Sequence, residues 1–408
     1  MMLRIDQIAL LIVIAACSTI ENPSKMGNTF KDDIDFLRQK TDAIVLKNED
    51  GSSQIIVIPE YQGRVMTSTL NGEDGEGFGW INYEKIHEGK MDERFNAYGG
   101  EDRFWLGPEG GQFSLYHKPG GPFSLENWYV PKQFDAEKFE VIETNENHVL
   151  MKADFSISNY SGTDFEVGVR RKVRLLKQEE IGRLLEVESL DGFQSVGFES
   201  ENHLINRGDS AWTKEAGLLS IWVLGMYKPG NEVVIIIPYY QGGTGSLGEI
   251  VNDSYFGEVP SDRLRAGGGI VYFKGDGKYR SKIGLNWMRA KNLLGSYDPV
   301  RNVLTIVKYN KPEDKSDYVK SMWEIMEDPY DGDVINSYND GPPEPGVKPM
   351  GPFYELETSS PVKPIGHGEE IVHLHQTIHI SGSEKQLNAL TEELFNVKIQ
   401  QIKDAFTN

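Results

Sequence analysis

The chain has 408 residues, 38% of them hydrophobic and 25% charged, which is enough apolar material for a large core and excludes a disordered polypeptide. Acidic residues outnumber basic ones by 62 to 42, giving a formal charge of −20. A surface of that sign repels a phosphate backbone, so nucleic acid is not an expected partner.

Arg4 precedes an apolar run from Ile8 to Ala16. The run is too short to span a bilayer as a helix and has the size of a signal-peptide core. It ends in Ile14-Ala15-Ala16-Cys17, similar to a bacterial lipobox, and Cys17 is the single cysteine of the chain. The expectation is a signal peptide over 1–16, lipidation of Cys17 and a polar tether over 17–31. The mature protein would then sit in the cell envelope, in the outer membrane or periplasm, held to the membrane by that lipid. One globular domain is expected over 32–408, since no stretch reads as a domain linker.

After the tether, segments rich in β-branched and aromatic residues alternate with Gly, Asn and Asp turns. Gln54 to Ile58 and Arg64 to Leu70 are the first. Met151, Ala153, Phe155 and Ile157 alternate with polar residues, as do Phe165, Val167 and Val169; this period of two predicts a hairpin around Tyr160-Ser161-Gly162 with one face on a core. Strands are also expected over Leu184–Leu190, Leu218–Tyr227, Glu232–Pro238, Gly269–Lys274, Lys282–Met288 and Val303–Tyr309. Helices are expected in two places, Tyr318–Met326 and the C-terminus, where Leu387, Leu390, Leu394 and Val397 form a stripe and Ser383 with Gln386 makes a capping box. The fold class is therefore all-β, a large antiparallel system with a C-terminal helix over a sheet edge or face. Long loops over Asn71–Arg94 and Gly341–Gly351 are places where a site is built.

The stretch Tyr98-Gly99-Gly100-Glu101-Asp102-Arg103-Phe104-Trp105-Leu106-Gly107-Pro108-Glu109 concentrates three carboxylates, a guanidinium and an indole between glycines. Sugars are held by this mixture, with charged groups bonding neighbouring hydroxyls and an aromatic face against the apolar side of the ring. The competing reading is an internal ion pair of Arg103 with Glu101 or Asp102 and Trp105 in the core. Tyr239 and Tyr240 end a strand, and alternation lets at most one face a cavity. His373, His375 and His379 share a strand face; they are either hydrogen-bonded or solvent-facing sheet residues or, with a carboxylate, zinc ligands. Glu101, Asp102 and Glu109 are the corresponding candidates for calcium. No cofactor is expected, and a divalent metal stays open.

Five segments, in this order, resemble the galactose mutarotase superfamily of aldose 1-epimerase-like β-supersandwiches. They are Ile58-Pro59-Glu60-Tyr61-Gln62-Gly63-Arg64-Val65, the Gly99 to Trp105 stretch, Glu201-Asn202-His203-Leu204-Ile205-Asn206-Arg207-Gly208, Gly351 to Thr358, and Gly366-His367-Gly368-Glu369-Glu370 before a His-rich strand. The likeness runs from Gln54 to Ile380 and is greatest to a lipoprotein branch of Bacteroides-like bacteria without an assigned reaction. It implies a supersandwich acting on a mono- or oligosaccharide. A glutamate would take the proton of the anomeric hydroxyl while a histidine protonates the ring oxygen. Transferred to this chain, the base is Glu357, with Glu355 as the other register, and the acid is His203. Glu101, Asp102, Arg103, Trp105, Glu109, Asn206 and Glu355 would then contact the sugar. The superfamily's first histidine is replaced here by the Glu101-Asp102-Arg103 cluster. Alternatives are a non-catalytic carbohydrate-binding module, a sandwich associated with a glycoside hydrolase or lyase, and a structural envelope protein.

Overall fold

The computed structural model describes residues 29–407. The expected signal peptide, Cys17 and most of the expected tether lie outside the described residues. Eighteen strands follow one another in these: β1 (Ile44–Lys47), β2 (Gln54–Ile58), β3 (Arg64–Thr69), β4 (Arg103–Gly107), β5 (Glu140–Thr144), β6 (His148–Ser158), β7 (Asp164–Leu175), β8 (Gln194–Asn206), β9 (Ser220–Tyr227), β10 (Val234–Pro238), β11 (Leu264–Gly267), β12 (Ile270–Lys274), β13 (Ser281–Asn286), β14 (Leu293–Asp298), β15 (Val303–Tyr309), β16 (Asp333–Asn339), β17 (Tyr354–Ser359) and β18 (Glu370–Ser381). Helices α1 (Phe30–Arg38), α2 (Tyr83–Glu88), α3 (Lys132–Asp135), α4 (Gln178–Leu185), α5 (Thr244–Leu247), α6 (Glu384–Phe395) and α7 (Ile399–Lys403) lie between or beyond them. None of these helices is long and apolar enough to cross a membrane.

The strands form an all-β antiparallel architecture of three sheets. A ten-stranded sheet runs β11-β12-β10-β14-β15-β18-β8-β7-β6-β5, a five-stranded sheet runs β13-β16-β17-β9-β4, and β1-β2-β3 form a small third sheet. Alternation along each strand decides which layer a side chain joins. Phe104 and Leu106 of β4 and Ile221 and Val223 of β9 share one core with Val167, Val169 and Val173 of β7 and Val196, Phe198 and Leu204 of β8. The same sandwich continues where Ile283, Leu285 and Leu356 meet Ile235, Ile237 and Leu294. On its opposite face the large sheet buries Ile306, Ile378 and Ile380 against Leu387, Leu390, Ile399 and Ile402 of α6 and α7. Helix α1 closes the small sheet, with Phe30 and Leu37 packed on Ile56 and Met66.

The expected hairpin is present, with Phe155 opposite Val167 and Ile157 opposite Phe165. The C-terminal helix is present too, and its Ser383 and Gln386 make the reciprocal capping box. Two expectations are corrected. Leu184 and Leu185 belong to α4, not to a strand: Ile181, Leu184 and Leu185 keep a helical stripe on the large sheet, and the Glu180 carboxylate accepts from the Lys177 N–H at 2.9 Å at its start. Tyr318–Met326 is not helical. The backbone donors of Tyr318 and Lys320 go instead to the carbonyls of Tyr330 at 3.1 Å and Pro329 at 2.9 Å, which holds the start of the segment extended before it bends at Trp323 and Glu324. Thr29 caps α1, and Phe30 at its start is fully buried.

Candidate functional site

The five-stranded sheet has a second face, and there the strand alternation collects chemistry instead of hydrocarbon. Arg103 and Trp105 of β4 point to it while Phe104 and Leu106 point to the core. Trp222, Leu224 and Met226 of β9, Glu355 of β17, Tyr338 of β16 and Lys282 of β13 join them. Register puts these side chains in adjacent rows: Lys282, Tyr338, Glu355 and Met226 form one, Glu357, Leu224 and Arg103 the next, and Trp222 stands opposite Trp105. Loops raise the walls with Phe95, Glu109, Trp128, Phe256, Arg280 and Trp323, and Leu125 and Met350 stand at the exposed rim. The cleft so formed has a cavity volume of about 90 Å³.

Glycine makes two of these approaches possible. A Cβ on Gly99, whose φ is +99°, would lie 2.0 Å from the Trp80 carbonyl oxygen, and one on Gly110 would lie 2.2 Å from that of Met322. The glycines flanking the acidic cluster therefore serve backbone packing, and the second one lets the Trp323 segment lie against the Glu109 loop.

Four of the chain's seven tryptophans line the cleft. Trp105 and Trp222 meet edge to face at 5.6 Å, and Trp128 and Trp323 lie nearly parallel at 6.4 Å. The charged groups are threaded among them. Arg103 pairs with Glu355 in a buried contact and lies 4.9 Å from the Trp105 ring centre. Lys282 Nζ is 3.2 Å from Glu357 Oε2, 4.0 Å from Glu109 Oε2 and 4.5 Å from the Trp222 ring centre. Glu357 Oε2 also accepts from the Trp222 indole at 2.9 Å, and Glu109 Oε1 from the Trp128 indole at 3.1 Å. The other Glu357 oxygen and the Trp105 indole N–H are buried with no partner.

Burial, aided by the charge of Glu357, pushes the Glu355 carboxyl up to about 8 even though Arg103 pulls the other way. Burial likewise raises Glu109 against the opposing charge of Lys282. Burial alone would lower Lys282, but Glu357, Glu109 and Glu355 outweigh it, and its ammonium is held above its ordinary range. The cleft thus holds a carboxyl that keeps its proton near neutrality beside a firmly charged amine.

Of the residues expected to contact a sugar, Arg103, Trp105, Glu109 and Glu355 line this cleft. Glu357 lies behind Lys282 and Trp222 with no exposed surface. Glu101 and Asp102 are not in the cleft. Glu101 is closed off by Ser68, whose hydroxyl donates at 2.9 Å, and by His379 at 2.8 Å; Asp102 forms a buried pair with Arg171. Asn206 organises a turn, donating to the carbonyls of Ser210 and Ile365 at 2.9 and 3.0 Å and accepting from the Gly208 N–H.

His203 is not brought to Glu357. In β8 the residues Val196, Phe198 and Leu204 face the core, so Asn202 faces inward and His203 faces the other way. His203 meets Glu201 at 2.7 Å and Glu370 at 3.1 Å, and neither lines the cleft. The three histidines of β18 share the inner face, as expected, but are buried rather than solvent-facing. His373 and His375 both bond the Thr358 hydroxyl at 2.8 Å, and burial lowers them to about 3 and about 4. Among the described residues no three His, Cys, Asp or Glu side chains are grouped to hold a metal ion. Of the tyrosine pair, Tyr239 joins the core and Tyr240 is exposed.

Trp128, Trp222, Lys282, Arg280 and Trp323 belong to the cleft without having been singled out from sequence. A lysine and an indole at strand positions, Lys282 and Trp222, are the signal they carried.

A family described as "Family of unknown function (DUF6786)" matches residues 28–406. The chain belongs to that family. No curated protein matches it. Solved structures similar to it include the Slr1438 protein of Synechocystis sp. PCC 6803, with 12% identity, a TM-score of 0.49, and coverage of 84% of this chain and 96% of that one. A putative aldose 1-epimerase of Escherichia coli K12 has 9% identity, a TM-score of 0.49, and coverage of 83% and 98%. A galactose mutarotase-like protein of Lactobacillus casei has 11% identity, a TM-score of 0.46, and coverage of 83% and 99%.

Proposed function

We propose that this member of the DUF6786 family binds a carbohydrate in the cleft of the five-stranded sheet and exchanges its anomers by acid–base ring opening. The observation that carries the reading is one open cavity lined by four indoles together with Arg103, Glu109, Lys282 and Glu355. Indole faces cover the apolar side of a pyranose, and the ionic groups bond its hydroxyls.

Ring opening needs a proton given to the ring oxygen and one taken from the anomeric hydroxyl. Glu355 keeps its proton near neutrality and faces the cavity, so it is the donor. Glu109 faces the same space and takes the anomeric proton, with Lys282 compensating the charge that moves between them. Glu357 grips Lys282 and acts through it as a positioning residue. This assignment moves the acid from His203 to Glu355 and the base from Glu357 to Glu109.

The test is two-dimensional exchange NMR of free aldoses with the purified protein. Glu355→Gln keeps the shape of the group but not its transferable proton, so the exchange rate falls at least about a hundredfold, the usual worth of a positioned acid. A variant as active as the parent removes Glu355 from the reaction. Saturable binding without exchange in the parent protein removes the reaction and leaves a binding module.

For the place of action we infer the cell envelope, a reading the N-terminal residues support. Ile8 to Ala16 with Cys17 support export and lipid attachment at the cell envelope. Metabolic labelling with a fatty acid then marks the parent and leaves Cys17→Ala unlabelled; equal labelling of both overturns the anchor.

A further inference from the structure

The charges of the cleft are unevenly paired. Arg103 is engaged by Glu355, and Lys282 by Glu357 and Glu109. Arg280, which precedes β13 and lines the same cavity, has its guanidinium 3.8 Å from the centre of the Phe256 ring. Among the described residues it makes no ion pair and donates no side-chain hydrogen bond. The carboxyls that feel its charge are engaged elsewhere: Asp340 accepts from the Gly351 N–H at 2.6 Å and from the Tyr338 hydroxyl at 3.1 Å, and Glu109 accepts from Trp128. Stacking on a ring fixes the plane of a guanidinium and leaves its N–H edges free, the geometry that meets a planar anion with two parallel hydrogen bonds. The backbone beneath it is held close, since a Cβ on Gly341 would lie 2.5 Å from the Arg280 nitrogen. Two further donors at the cleft, Arg103 Nε and Trp105 Nε1, are buried and unpartnered. Such groups are costly to leave unmade unless a ligand completes them. All this lies on a protein of formal charge −20, so a free cationic group in a cavity stands against the overall sign of the chain.

We propose that the sugar bound here is anionic, a hexuronate or an oligosaccharide ending in one, and that Arg280 receives its carboxylate. The inference rests on the carbohydrate reading and names its substrate class. An acidic sugar supplies what the cleft lacks: a planar acceptor for the free guanidinium, placed on a ring whose flat side meets the indoles.

The experiment is titration calorimetry of the full chain with D-galacturonate and D-glucuronate, their neutral parents D-galactose and D-glucose, and galactose 6-sulfate. The uronates bind about tenfold or more tighter than the neutral parents, the scale of one charge-assisted bidentate contact. In Arg280→Gln the ratio of uronate to neutral affinity collapses to within about twofold of unity. In Arg280→Lys it is only partly recovered, because an ammonium lacks the planar fork. A denaturant midpoint matching the parent shows each variant to be folded. Neutral sugars binding as tightly as uronates, or an unchanged ratio in Arg280→Gln, overturns the inference and leaves the carbohydrate reading standing. Tighter binding of the sulfate ester than of either uronate overturns the carboxylate assignment. Failure of every sugar to bind overturns the reading beneath it as well.

Discussion

The molecule holds two dense clusters of charge and imidazole, and they are built to opposite ends. Between the sheets, Glu101, Asp102, Arg171, Asn202, His373, His375 and His379 are buried. Their principal contacts are with one another, with Ser68 and Thr358 hydroxyls and with backbone carbonyls. Across the five-stranded sheet, Arg103, Glu109, Arg280, Lys282 and Glu355 surround open space and share it with four indoles. Each keeps buried atoms without a partner, Asp102 Oδ2, His373 Nδ1 and His375 Nε2 in the first and Arg103 Nε and Trp105 Nε1 in the second, but only the second opens on a cavity and carries a guanidinium free of any ion pair. Residue type does not separate a site from a strut, but access to open space does.

The sharpest way to break that contrast is to leave the closed cluster with an unpaired charge. Asp102→Ala strands Arg171, which is fully buried and otherwise held by the Gly63 carbonyl at 3.2 Å and by Asn202. The expected loss is about 3–5 kcal/mol of unfolding free energy, read as a lower midpoint in urea, while the double change Asp102→Leu with Arg171→Met recovers much of it. A midpoint for Asp102→Ala equal to the parent's would show that the pair is not a strut. The matching change in the open cluster works in the other direction: Trp323→Ala, at a half-buried wall position, leaves the unfolding free energy within about 1 kcal/mol of the parent's and weakens sugar binding about tenfold. Unchanged affinity would take Trp323 out of the site.

The division between clusters was half legible in the sequence. Alternation along β4 already says that Asp102 and Phe104 go one way and Arg103 and Trp105 the other, so the cluster that reads as one acidic wall is split between strut and cleft. The same rule applied to β8 through Phe198 and Leu204 sends Asn202 inward and His203 outward, which the resemblance to the mutarotase segment hid. The hairpin of β6 and β7 and the cap at Ser383 were legible because local pattern decides them. Lys282 and Arg280 were not, because their meaning depends on β17 lying between β16 and β9, a pairing of Tyr354 with Tyr227 that no local signal announces. Trp323 was hidden by a helical-looking stripe whose backbone donors are drawn off by Pro329 and Tyr330.

The two clusters also separate by pH. In the open cleft Glu355 is raised from 4.5 to about 8 by burial and the Glu357 charge, so the folded chain keeps a proton there that the unfolded chain has released. Where the native state binds more protons, stability falls as pH rises. The contribution of Glu355 is therefore fully present below about 4.5 and is lost as pH climbs through about 8. In the closed cluster the sign is reversed: His373 and His375, lowered to about 3 and about 4, stay neutral in the folded chain while the unfolded chain takes protons below about 6.5, so their contribution is lost as pH falls. Other titrating groups blur both trends in the parent, but they cancel in a difference between parent and Glu355→Gln. Gln mimics the protonated form at every pH, so the stability of the parent relative to the variant should decline between about pH 5 and 8, at no more than about 1.4 kcal/mol per pH unit. Urea midpoints at pH 5, 6, 7 and 8 measure it. A flat difference would mean that Glu355 is ionised throughout, like the carboxylate of an ordinary strut, and would remove the proton that the cleft is proposed to deliver.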